Sequence, residues 1–343
     1  MKATLIYDGL SDPKIPEILI PESGPDGIAA AGQFQGSPLE KLCEIAGRCC
    51  YDSFGKGRNS ESYHKHILEV GHTSVLGHAN ITLNYSGLDY KDKYFIARLP
   101  GVYINESVIC INLRTIAELD KYSELDASVK RTLRYYGNKV APQIISPIAE
   151  YYVLRDWMDV GYDQYDEETM WISMFMCGSR GFSHEQVRHG YRTAISQRST
   201  RYVDEDDSDW IYHPLIVQYC QEQGLELPGG TEQLAKENYS IVKNDLEPWL
   251  IARGVGKQTA RKQARGAARG LLGNALYTEM VFSASVAQWK RMLKQRCTIH
   301  ADAEIRIVYN SVLRELKHSR FANQFLGWNL VPSPDGIGKV LSS

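Results

Sequence analysis

Helical patterning dominates the last third of the chain. It runs from 231 to 253 and again from 256 to about 318, with alanine and glycine frequent between 264 and 275. Against it stand short strand-like segments at 2–8 (KATLIYD) and 79–86 (ANITLNYS). In the second, Ile81, Leu83 and Tyr85 alternate with Asn80, Thr82 and Asn84, the period-two signature of a strand with one buried face. Runs of helix mixed with a few strands predict an α+β fold, with helices around a small mixed or antiparallel sheet. Further helices are expected at about 38–50, at 60–70 with Gly71 as the stop, and across 166–189. The segment GVYINESVICINL after residue 100 is strand-like. Residues 10–37, rich in Gly, Pro, Ser and Asp, read as loop. The run DEDDSD at 204–209 reads as a solvated loop.

Composition bounds the class of protein. The 343 residues allow two domains or one enlarged domain. At 43% hydrophobic and a net charge of -2, the chain has neither mark of disorder and no bulk charge for binding nucleic acid. No run approaches the roughly 20 apolar residues of a membrane span. The first 20 residues carry Asp8, Asp12, Glu17 and two prolines, which does not fit a signal peptide. The 7 cysteines include no CxxC, and Cys49 and Cys50 are adjacent. Thiols in a reducing cytoplasm are the simplest reading, with no metal site expected.

The chemistry concentrates at 179–203, SRGFSHEQVRHGYRTAISQRSTRYV. Arginines stand at 180, 188, 192, 198 and 201, and no acid lies between Gln186 and Val203. Guanidinium forks among Ser196, Ser199, Thr200 and Tyr202 suit phosphate oxygens. A basic surface loop paired with the following acidic run is the ordinary alternative. His184-Glu185 with His189 misses the HExxH zinc spacing by one residue, so the imidazoles would not share a helix face. His72 and His78, six apart, suit a cap and a core histidine better than a ligand pair. There is no GxGxxG after a strand, no GxxxxGK[ST] and no GxSxG elbow.

Three segments, in order, resemble the flavin-dependent thymidylate synthases. SHEQVRHGYRTAISQRSTRY is similar to the family signature of Arg-His-Arg, seven residues, Ser, then Arg-Tyr. Gly71–Ala79 (GHTSVLGHA) resembles the GHxS…H segment. Gln295–Arg306 (QRCTIHADAEIR), after a helix containing Trp289, resembles the R…H-A…E-I-R helix. The resemblance spans roughly 38–87 and 171–330. It implies an α+β homotetramer with active sites shared between subunits. The implied reaction converts dUMP to dTMP, with carbon from methylenetetrahydrofolate, NADPH as reductant and FAD as hydride donor.

The resemblance also implies roles. His72, Ser74, Arg188, His189, Gln197, Arg296 and His300 would meet FAD, with Ser74 reaching it from a neighbouring subunit. Glu185, Gln186, Arg188, Gln197, Arg198, Ser199, Thr200 and Arg201 would line the nucleotide. Arg306 would favour ionisation at N3 of the pyrimidine, a charge a fixed guanidinium stabilises without losing its own proton. Its ordinary alternative is a salt bridge to Asp302 or Glu304, of which only Asp302 has suitable helical spacing. The match departs at Gly190, where the signature has Arg, with eight rather than seven residues before Ser199. A one-residue insertion would let Arg192 take over that contact with FAD. Gly77, Gly273 and Glu279 also differ from frequent family residues, Glu279 from an arginine that binds the nucleotide in some members.

These departures keep two alternatives in view: a divergent flavoenzyme modifying another pyrimidine nucleotide, and a non-catalytic nucleotide-binding homologue. The GHTS and RHGYR segments belong to one catalytic domain, yet more than 100 residues separate them. The reading is therefore one domain over 1–343 with an insertion at about 88–170. Eleven of the 21 tyrosines lie between Tyr85 and Tyr165. Tyr135, Tyr136, Tyr151 and Tyr152 suggest a surface that packs on the core or on another subunit, against ordinary packing in an enlarged core.

Overall fold

The computed structural model describes residues 1–9, 12–14, 34–55, 57–147, 158–159 and 166–342. In chain order its strands are β1 (Lys2–Tyr7), β2 (Asn80–Asn84), β3 (Tyr103–Ile104), β4 (Val108–Asn112), β5 (Met158–Asp159), β6 (Trp171–Ser179), β7 (Thr193–Gln197), β8 (Tyr277–Ser285), β9 (Trp328–Val331) and β10 (Lys339–Ser342). The helices are α1 (Pro38–Tyr51), α2 (Ser60–Glu69), α3 (Tyr90–Ala97), α4 (Leu113–Ala117), α5 (Ala127–Val140), α6 (Arg180–Gln186), α7 (Pro214–Gln223), α8 (Thr231–Ala252), α9 (Lys257–Ala268), α10 (Val286–Arg296) and α11 (Ala303–Leu316). Helix starts carry side-chain caps where the sequence supplies them. Ser37 and Glu40 form a reciprocal capping box on α1, and Asn59, Ser179 and Ser285 accept from the first turns of α2, α6 and α10.

The fold is α+β, built on small antiparallel sheets. One has the order β1-β6-β8-β7 and a second the order β3-β4-β2-β5, with β9 and β10 as a separate hairpin. β6 and β8 pair from Trp171↔Ser285 to Ser179↔Tyr277. Trp289, Tyr309, Ile305 and Val312 of α10 and α11 share a buried cluster with Ile172, Met174 and Phe282 of this sheet. On its other face, Phe175 and Val281 meet Leu42, Ile45 and Cys49 of α1.

This double burial explains two corrections. Residues 166–189 do not form one helix, and 256–318 is not helical throughout, because β6 and β8 occupy their centres. WISMFMC and MVFSA are apolar runs covered on both faces, and periodicity alone cannot separate such a strand from a buried helix. A third correction concerns the acidic run. Asp204 pairs with Lys243 at 2.8 Å and with Arg265 at 2.8 Å, Asp206 with Lys243, and Glu205 is only 1% exposed. Long-range packing of α8 and α9 carries those cations over the run, which no local pattern announces.

The 88–170 segment contributes α3, α4, α5 and the β3–β4 hairpin. Its buried residues Ile96, Ile109, Ile111, Leu119 and Leu133 share one cluster with Leu39, Tyr63 and Ile67 of α1 and α2. Tyr122 and Tyr136 pack against that cluster, while Tyr90 is 85% exposed. Tyr151 and Tyr152 lie outside the described residues.

Candidate functional site

The loop after α6 and the end of α10 meet around one guanidinium. Arg296 donates from Nε to His189 Nε2 at 2.8 Å and from a terminal nitrogen to Glu185 Oε2 at 2.6 Å. Because Arg296 can only donate, His189 Nε2 must be the unprotonated nitrogen. Burial, with help from the Arg296 charge, lowers the His189 pKa to about 4, which keeps that ring neutral. Next to it, Gln186 is fully buried, accepts from the Tyr309 hydroxyl at 2.9 Å, and leaves its Nε2 without a partner among the described residues. Arg188 and His300 are exposed.

β7 carries the rest of the signature. At its far end, Gln197 donates to Ser183 Oγ at 2.8 Å and Thr278 Oγ1 at 3.1 Å. Arg198 reaches Ser208 Oγ at 3.3 Å and Glu205 at 3.5 Å. Thr200 is buried near Arg269, and the Ser199 amide donates to the Cys50 carbonyl at 2.9 Å. Exposed Arg201 lines a cavity of about 380 Å³ with Tyr202, Arg261, Lys262 and Arg265. Tyr202 also lines a second cavity of about 370 Å³ with Tyr51, Tyr63 and His72. There His72 Nδ1 and the Tyr51 hydroxyl lie 2.5 Å apart. Ser74, two residues further on, is exposed.

Two expected residues have unforeseen partners. Arg306 is 2% exposed and forks onto Asp335 of the β9–β10 connection, one nitrogen at 3.3 Å and the other closer. Neither Asp302 nor Glu304 takes it: Asp302 pairs with His213 at 3.0 Å, and Glu304 accepts from the Ser179 amide at 2.7 Å and its hydroxyl at 2.6 Å. The Arg306 hydrogen bonds hold the Asp335 carboxyl well below the usual carboxylate range. Arg192 pairs with Glu168 at 2.8 Å, and its guanidinium lies 4.9 Å from the Tyr103 ring centre and 5.8 Å from that of Trp171. The turn-forming PSPDG around Asp335 was a legible signal; Glu168 gave none.

His78, expected as a core histidine, is 1% exposed, held by Ser283 Oγ at 2.7 Å and Ser196 Oγ at 3.0 Å. Glu279 is buried, and that burial raises its pKa to about 7 despite the opposing Arg198 charge. Burial also pushes Cys50 up to about 11, so it is no thiolate nucleophile. No group of His, Cys, Asp or Glu among the described residues is arranged to hold a metal ion.

The family model of the thymidylate synthase complementing proteins matches residues 125–319. The chain is 33% identical over 185 residues to a flavin-dependent thymidylate synthase from Mycobacterium sp. (strain KMS), covering 53% of this chain and 72% of that protein. A relative of the same description from Mycobacterium sp. (strain JLS) is 25% identical over 300 residues, covering 86% of this chain and 82% of its own. This chain belongs to the flavin-dependent thymidylate synthase family. Thymidylate synthase X from Helicobacter pylori, crystallised with FAD and dUMP, aligns at 17% identity and a TM-score of 0.31 over 45% of this chain and 71% of its own.

The donors present suit a flavin dinucleotide. Exposed Arg188 would offer charge to a diphosphate and neutral His189 a ring edge, while the Arg296 guanidinium is shared with Glu185. A Cβ at Gly190 would meet nothing within 4 Å, so the backbone there is open to a ligand.

Proposed function

We propose that this flavin-dependent thymidylate synthase converts dUMP to dTMP with FAD as resident flavin, methylenetetrahydrofolate as carbon donor and NADPH as reductant. One observation carries the reading most: Arg296 joins Glu185 to a neutral His189 within the signature. His72, Ser74, Arg188, His189, Gln197, Arg296 and His300 hold the flavin in this reading. FAD, when bound and reduced, supplies the hydride. Glu185, Gln186, Arg188, Gln197, Arg198, Ser199, Thr200 and Arg201 hold the nucleotide, with exposed Arg201 taking the phosphate. Arg306 stabilises the pyrimidine as N3 loses its proton. Its Nε has no partner among the described residues, which leaves one donor for that anion beside the Asp335 clamp.

The assembly in this reading is a homotetramer. Exposed Leu215, Tyr219, Leu234 and Ile241 on α7 and α8 would supply apolar contact area. Segment 88–170 is an insertion in a single domain, and the protein works in the cytoplasm without nucleic-acid partners. No helix among the described residues is long and apolar enough to cross a membrane.

Purified protein is expected to be yellow, to lose its flavin absorbance with NADPH under anaerobic conditions, and to form dTMP from dUMP and the folate. Protein that takes up no FAD when it is supplied would end this reading.

A further inference from the structure

Arg192 has a conformation that its neighbours must enforce. Its φ is 47°, in the left-handed region that a residue with a Cβ rarely adopts. Its side chain is 3% exposed and pairs with Glu168, itself only 15% exposed. The guanidinium is bracketed by the Tyr103 and Trp171 rings. Glu168 is fixed in turn by Arg291 at 2.6 Å and by Ser285 Oγ at 3.2 Å. Strained backbone persists only where surrounding structure over-determines it. Here Tyr103 and Glu168 come from the 88–170 segment, and Arg192 comes from the signature loop.

The loop 187–192 is thus held at two points. His189 is tied to Arg296 at one, and the Thr193 hydroxyl closes on the His189 carbonyl at 2.7 Å. Arg192 is tied to Glu168 at the other. Between them Gly190 and Tyr191 are exposed and unsupported by packing. Without the Arg192 anchor, a glycine-containing loop has no reason to keep one conformation.

We infer that Arg192 is a positioning residue, not a flavin ligand: with Glu168 and Tyr103 it clamps the signature loop to the 88–170 segment, so that this segment sets the geometry of His189. The inference rests on the reading of 188–189 as flavin-binding for its functional consequence, but the clamp itself can be tested without flavin. Glu168→Gln keeps the size of the side chain and removes its charge. Tyr103→Leu removes one ring from the bracket, and Arg192→Lys keeps the charge without the planar fork.

Two measurements on the full-length protein separate the possibilities. Amide hydrogen exchange over 187–192 in Glu168→Gln is expected to be at least tenfold faster than in the wild type, with β6 and β8 unchanged. FAD affinity should fall about tenfold, with a weakened visible circular dichroism band of the bound flavin, and Arg192→Lys should restore less than half of the loss seen in Arg192→Ala. Exchange and flavin spectrum both as in the wild type, in Glu168→Gln and in Tyr103→Leu, would overturn the clamp. Faster exchange over 187–192 in Glu168→Gln, together with a wild-type protein that takes up no FAD, would support the clamp while ending the flavin reading.

Discussion

The interior of β2 and β4 presents Ile81, Leu83, Ile109 and Ile111, whereas β6, β7 and β8 bury Ser173, Ser196, Thr278, Glu279 and Ser283 among their apolar residues. In the first sheet the amides sit at the strand ends, as with Asn112, which accepts from the Thr115 amide to start α4. In the second the polar groups form a chain: Ser173 Oγ to Ser283 Oγ at 2.6 Å, then His78, then Ser196. A buried hydroxyl is tolerated only when it is hydrogen-bonded, so such a chain constrains sequence far more than an apolar face does. The proposed nucleotide and flavin residues attach to the ends of the second sheet. Its interior polar chain constrains geometry more than the first sheet does, where the buried polar side chains are Thr82 and the asparagines at the strand ends.

Arg306→Ala is expected to have the largest effect. Removing a donor aimed at developing negative charge costs on the order of 10²–10³ in kcat. Bound FAD should remain, and Arg306→Lys should recover little, because Asp335 occupies a two-pronged fork that lysine lacks. Single-turnover rates with measured flavin occupancy would check this, and full turnover in Arg306→Ala would remove the residue from the chemistry. Leu83→Ala tests the other sheet. It empties a fully buried site and should lower unfolding free energy by about 2–4 kcal/mol. Turnover per folded molecule should stay unchanged; a loss there would mean that the two sheets do not divide structure from chemistry.

The same contrast explains what could be read in the residues. β1, β2, α1 and α2 fall close to where period and caps place them, although β2 is buried on both faces rather than the expected one and α1 is buried around most of its circumference. β6 and β8 were hidden, since strands covered on both faces lose their alternation. The Arg296 cluster gathers residues that the signature and the C-terminal motif had already named. The partners Asp335 and Glu168 did not follow from any spacing, because ion pairs across 29 and 24 residues depend on how the chain returns. The acidic run misled for the same reason.

His78 makes the second sheet sensitive to acid. Burial lowers its pKa from 6.5 to about 3. The unfolded chain therefore takes up a proton below pH 6.5 that the native ring refuses, and stability, fully present above that pH, falls as pH drops toward 3. The slope approaches about 1.4 kcal/mol per pH unit. Urea unfolding at pH 7.5, 6 and 5 should show it, and His78→Asn should flatten it. An unchanged slope in the variant would assign the acid sensitivity elsewhere.

Glu279 should push the other way, and more weakly. It lies on the strand that carries Ser283, the serine bonded to His78, but its folded pKa is raised to about 7 from 4.5. Its stabilising contribution is complete below pH 4.5 and is lost as pH rises through 7, because the unfolded chain releases its proton first. Glu279→Gln should therefore be close to wild type at pH 5 and more stable by about 2–3 kcal/mol at pH 8. If Arg198 holds the nucleotide as proposed, the effect extends to function, because the Arg198 charge opposes the rise. A nucleotide phosphate drawn to Arg198 would weaken that opposition, so binding should take up a proton at Glu279. Nucleotide affinity is then expected to fall above pH 7 in the wild type and to lose that fall in Glu279→Gln. Titration calorimetry in two buffers of different ionisation enthalpy would measure the proton directly. Equal proton uptake in both proteins would separate Glu279 from the nucleotide and leave the polar interior of the second sheet as a stability device alone.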